Sequence, residues 1–95
     1  LSRRKDPAKR IARLERALER FYAERDATRQ TYYAAKRELQ ERRRNGELTP
    51  AQYSDALRVL QFPYYEKIDA IFDKIRQCKK DIEECKRSLS TSSPP

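Results

Sequence analysis

The sequence predicts an all-α fold: a long antiparallel helical hairpin of coiled-coil type that pairs with a second copy into a four-helix bundle. Three observations carry this. There is one glycine in 95 residues, so turns are few. Two long stretches place apolar residues three and four apart, which is the helical repeat. Between them lies a single strong stop-and-restart signal. Sandwiches, barrels and doubly wound folds are excluded, because they need many glycine-bearing loops.

The elements follow in order. Residues 1–6 form a basic lead-in. Asp6 and Pro7 read as a helix start, with an acceptor side chain at the N-cap and proline at the first helical position. A first helix then spans residues 7–45. Its heptad frame has Ile11, Leu18, Arg25, Tyr32 and Leu39 at a, and Leu14, Phe21, Thr28, Ala35 and Arg42 at d. Asn45 and Gly46 end it, since glycine accepts the left-handed cap conformation.

The turn covers residues 46–49. Thr49, Pro50 and Gln52 make a capping box, with Leu48 and Tyr53 as its hydrophobic staple. The second helix covers residues 50–89. Its later half has Ile68, Ile75, Ile82 and Leu89 at a, with Ile71, Cys78 and Cys85 at d. The phase slips between Tyr64 and Ile68, and Pro63 sits at the slip, so a kink is expected there. Residues 90–95 are a Ser/Thr/Pro tail with nothing to bury, expected to be disordered.

Helices of about 58 and 60 Å joined by so short a loop must lie antiparallel. Residue i then falls near residue 95 minus i. On that rule Arg25, a charge in the seam, lies near Asp69 and Asp73 and is neutralised by them.

The turn, from Gly46 to Tyr53, resembles that of SHOCT-type short helical-hairpin domains. The stretch from Leu39 to Leu60 is similar to the coiled-coil region of some corepressor subunits. The capping box alone produces most of both likenesses, so neither assigns a family.

Composition bears on function. With no histidine, one glycine and two cysteines, the chain has no phosphate loop and no zinc ligand set. No enzyme, cofactor or metal site is therefore expected. The carboxylates Glu83, Glu84, Asp69 and Asp73 each have a lysine or arginine within a turn, as solvated helix faces do. No run is apolar enough for a membrane span, and no methionine occurs even at position 1, which suggests a piece of a longer intracellular protein, nuclear or cytoplasmic. Cys78 and Cys85 are about 10 Å apart along one helix, too far to pair, and read as reduced core residues.

Two surfaces invite partners. Tyr22, Tyr33, Phe62, Tyr65 and Phe72 lie off the seam, with Tyr33 expected near Phe62 and Tyr22 near Phe72. They suggest a second apolar face for a homodimer or another protein, although tyrosines can also lie flat on a wet surface. The other surface is basic. Residues 1–45 carry fifteen Lys/Arg against seven Asp/Glu, whereas the rest is balanced, so the entire +8 belongs to the first helix and its lead-in. Lys9, Arg13, Arg16 and Arg20 recur on one side, extended by Arg3, Arg4, Lys5 and Arg10, while Arg42, Arg43 and Arg44 cluster at the loop. These could contact nucleic-acid phosphate or an acidic protein. A solvated face, with Glu15, Glu19 and Glu24 supplying compensating helix pairs, is the preferred account of the first group, and the helix dipole suffices to explain the second. The leading expectation is a non-enzymatic oligomerisation or scaffold segment; the alternative is a nucleic-acid- or chromatin-associated module.

Overall fold

A computed structural model describes residues 6–91 and shows two antiparallel helices, α1 (Pro7–Arg44) and α2 (Pro50–Thr91). The rod measures 71 × 23 × 16 Å, two helices wide and one thick. Arg3, Arg4, Lys5 and the tail from residue 92 lie outside the described residues.

Each helix end is satisfied by its own sequence. The Asp6 carboxylate accepts the Ala8 N–H at 3.0 Å, and Pro7 has no N–H to satisfy. At the other end of α1, Gly46 takes φ +77. Its N–H donates to the Arg43 carbonyl and that of Glu47 to the Arg42 carbonyl, the two bonds of a Schellman cap. The α2 capping box is reciprocal. Gln52 N–H donates to Thr49 Oγ1 at 3.1 Å, and Thr49 N–H to Gln52 Oε1 at 2.9 Å.

α2 runs through Pro63 as one helix. Proline deprives the Val59 carbonyl of its intrahelical bond, and Val59 lies on the solvent side, 75% exposed. At the C-terminus α2 extends two residues past Leu89, taking in Ser90 and Thr91, for which the expected tail had no helix. One more half-turn on an existing helix costs little.

Burial is one-sided. α2 supplies Ile68, Ile71, Ile75, Cys78, Ile82 and Cys85 to the core, whereas α1 buries only Thr28 and Tyr32. Leu18, Phe21, Tyr22, Tyr64 and Phe72 pack around the Ile68, Ile71 and Ile75 cluster. A buried isoleucine is worth about 1.5–3 kcal/mol, so this stretch holds the hairpin shut. Towards the loop the rod is thinner. Among the described residues none between Tyr32 and Ile68 is buried, and Leu39, Leu57 and Leu60 stay half-exposed.

Three seam positions differ from expectation. Arg25 reaches neither Asp69 nor Asp73. It pairs with its neighbour Asp26 at 3.0 Å and lies over the Tyr22 ring, while Asp73 pairs with Arg76. Arg25 and Asp73 thus find partners one and three residues away, at less side-chain entropy than a cross-helix reach would cost. Arg42 points out and meets Glu47 at 3.7 Å. Leu89 is 38% exposed, since its partner level falls where α1 begins.

Candidate interaction surface

The five off-seam aromatics do not form a single flat face. Tyr22 and Phe72 are half-buried against the isoleucine cluster. Each carries cations over its ring. Arg25 and Lys79 lie over Tyr22 at 4.8 and 5.8 Å, and Arg29 lies over Phe72 at 5.4 Å. Because Lys79 meets Tyr22 and Arg29 meets Phe72 from the opposite helix, these contacts tie α1 to α2 along one side of the rod.

Tyr33 and Tyr65 are each 49% exposed and end a run of four rings. Tyr33 meets Tyr32 edge-on at 5.3 Å, Tyr32 stacks on Tyr64 at 4.0 Å, and Tyr64 tilts against Tyr65 at 5.6 Å. The buried pair thus holds the exposed pair in place. Phe62 is 63% exposed and stands apart. It is nine residues from Ile71, which at 100° per residue is half a turn from the core. The pairing rule fixes levels along the rod and not directions around each helix, so it could not separate Phe62 from Tyr33.

On the other side of the rod runs a groove that sequence reasoning missed. α1 presents Ala27, Thr28, Thr31 and Ala35 there, opposite Leu60 and Pro63 of α2, and small side chains leave a hollow of about 370 Å³. A second hollow of about 360 Å³ continues it towards the loop, sharing Ala35 and Leu60. Glu24, Glu38 and Arg42 stand on its α1 rim and Lys67 on its α2 rim. The recurrence of Ala or Thr at 27, 28, 31 and 35 was the available signal.

The basic residues also divide. Lys9, Arg13 and Arg16 line one hollow of about 470 Å³ with Asp6 and Ala12. Arg20 lies near enough to Cys78 to act on its thiol. At the loop, Arg43 lies over Tyr53 at 4.9 Å, Arg42 is paired with Glu47, and Arg44 is exposed. Arg42, Arg43 and Arg44 all stand in the last turn of α1, where its dipole is negative.

Cys78 and Cys85 are both buried and free. The Cys78 thiol donates to the Leu14 carbonyl across the hairpin, with Sγ 3.1 Å from the oxygen. Burial raises its pKa, the Asp81 carboxylate adds to the rise, and Arg20 opposes it.

No helix among the described residues is long and apolar enough to cross a membrane. Compared with known proteins, the chain matches no family model, no curated protein and no solved structure.

Proposed function

We propose that the hairpin is a non-enzymatic assembly module, a scaffold or adaptor segment of a larger nuclear or cytoplasmic protein, which associates with a second copy to give a four-helix bundle. The carrying observation is the exposure of Tyr33, Phe62 and Tyr65 along a rod whose loop half buries no side chain. Exposed aromatics of this kind concentrate at interfaces. A lone pair of helices with so thin a core has little stability of its own. The two unpaired, buried thiols are compatible with a reducing compartment.

Light scattering or sedimentation of the purified chain at tens of micromolar tests the reading. A dimer or larger species is expected. A monomer that unfolds cooperatively overturns it. A protein other than a second copy, bound through the same aromatics, would show as mixed complexes once added.

A second reading rests on the convergence of Lys9, Arg13 and Arg16 on one hollow. Such a surface suits phosphate oxygens of nucleic acid or an acidic protein segment. Asp6 in the same hollow works against it, and so the assembly reading stands first.

A further inference from the structure

The two sides of the rod differ in shape and lie at the same level. On one side Tyr33 and Tyr65 project from either helix, held by the stacked Tyr32 and Tyr64 beneath them. On the other, Ala27, Thr31 and Ala35 leave a groove opposite Leu60 and Pro63. We propose that this groove receives the tyrosine ridge of a second copy, so that hairpins stack front to back instead of ridge to ridge. The inference rests on the assembly reading and names the surfaces that meet.

Charge selects a second copy, and one orientation of it. On the ridge side Arg29 lies over Phe72, and Arg29 and Lys36 flank Tyr33 one turn away in each direction. One turn beyond Tyr65 on α2 is Asp69. The groove side carries the opposite signs. Glu24 and Glu38 stand on its α1 rim at the level of the ridge, with Arg42 one turn nearer the loop and paired to Glu47, and Lys67 stands on its α2 rim, with Lys74 two turns further along the same line. Laying α1 over α1 and α2 over α2 brings Arg29 and Lys36 towards the glutamates and Asp69 towards the lysines. Reversing the helices would set like charges together, which costs rather than stabilises. Shape agrees, because the small Ala27, Thr31 and Ala35 on the α1 wall leave room for large rings against the apolar Leu60 and Pro63 opposite.

Two hairpins joined this way make the four-helix unit, and because ridge and groove are different patches on opposite sides of the rod, every stack keeps one free ridge and one free groove. Mass should therefore rise beyond the dimer with concentration. A ridge-to-ridge contact would stop at two.

Complementation between two variants decides it. Tyr33→Ser with Tyr65→Ser removes the ridge, and Ala27→Arg with Thr31→Arg blocks the groove. All four positions are exposed, and circular dichroism checks that each variant keeps its helices. Each variant alone should be monomeric at concentrations where the unaltered chain assembles. Mixed one to one they should form a dimer and nothing larger, since the intact ridge of one fits the intact groove of the other. A groove-blocked variant that assembles like the unaltered chain overturns the inference and leaves the assembly reading standing. So does a mixture of two monomers that stays monomeric. An unaltered chain that is itself monomeric overturns both.

Discussion

Tyr32 and Tyr64 stack across the hairpin with ring centroids 4.0 Å apart and planes 12° from parallel. They mark the boundary between the two halves of the rod. Beyond them towards the termini lies the isoleucine core; towards the loop nothing is buried. Tyr32 is 6% exposed and Tyr64 half-buried, so the pair closes the core like a plug.

Tyr32→Ala should accordingly cost about 3 kcal/mol, the low end for a buried ring, because the groove beside it lets water enter. Tyr64→Ala should cost less. In a double-mutant cycle the two should couple by about 1 kcal/mol beyond their separate losses. Additive losses in urea unfolding would mean that the stack contributes only as buried area.

At the turn, Thr49→Ala removes the oxygen that holds the Gln52 N–H and should cost about 1 kcal/mol. Gly46→Val should cost about 1–2 kcal/mol. Nothing lies within 4 Å of where its Cβ would stand, so that cost is the backbone at φ +77 and not a clash. Gly46→Asn, which tolerates the left-handed region, should therefore be milder than the valine. Melting temperatures unchanged from that of the unaltered chain in all three variants would show that the two helices do not turn here.

Phe62 and Phe72 should separate assembly from stability. Phe72 packs on the isoleucine cluster and under Arg29, so Phe72→Ser should lower the melting temperature of the hairpin itself. Phe62 is turned from the core, and Phe62→Ser should leave the unfolding of a dilute monomer within about 0.5 kcal/mol of the original. If Phe62 takes part in assembly, its loss lowers the mass at high concentration. An unchanged mass would remove Phe62 from the interface.

Much of this was legible in the chain. The threonine capping box, the glycine stop and the run of Ile68, Ile71, Ile75, Cys78 and Ile82 all rest on local backbone chemistry or helical spacing, which sequence states directly. Arg25 was not legible in the same way. Its distant acids and its neighbour Asp26 satisfy the same charge, and only side-chain geometry selects the neighbour. Leu89 continues the seam in spacing, but burial needs an opposite helix, and α1 starts at its level. The ridge and groove were half visible. Spacing shows that Tyr33, Phe62 and Tyr65 leave the seam, yet only the rotation of each helix assigns them to sides.

Cys78 ties stability to pH. Its thiol is neutral in the fold, donates to Leu14 and has a pKa raised above the ordinary 9.0, chiefly by burial. The unfolded thiol gives up its proton first as pH rises. The contribution of the neutral thiol is thus whole below pH 9 and lost as pH climbs through the folded value. Stability should fall across that alkaline range, and less so in Cys78→Ala, which lacks the titrating group. Thiol alkylation at neutral pH should be slow in the folded chain and fast in urea. Rapid alkylation of Cys78 without denaturant would show that the hairpin opens near Leu14.

The basic hollow on α1 gives the test that divides the two functional readings. Lys9, Arg13 and Arg16 project together, with Arg20 one turn further on. If they hold phosphates, binding to an arbitrary duplex should be weak, indifferent to sequence and steep in salt, because affinity comes from released counterions. Each phosphate contact adds about 0.9 to the slope of log affinity against log salt concentration. Arg13→Gln and Arg16→Gln together should flatten that slope without altering assembly, since both are exposed and line a hollow that shares no residue with ridge or groove. Asp6→Asn should act in the opposite direction, removing the one carboxylate in the hollow and strengthening binding several-fold at low salt. Sequence-selective binding that persists at physiological salt would promote the nucleic-acid reading above assembly. No binding at low salt, with or without Asp6, would leave these four residues as a solvated face whose charge keeps the rod soluble while its aromatic side associates.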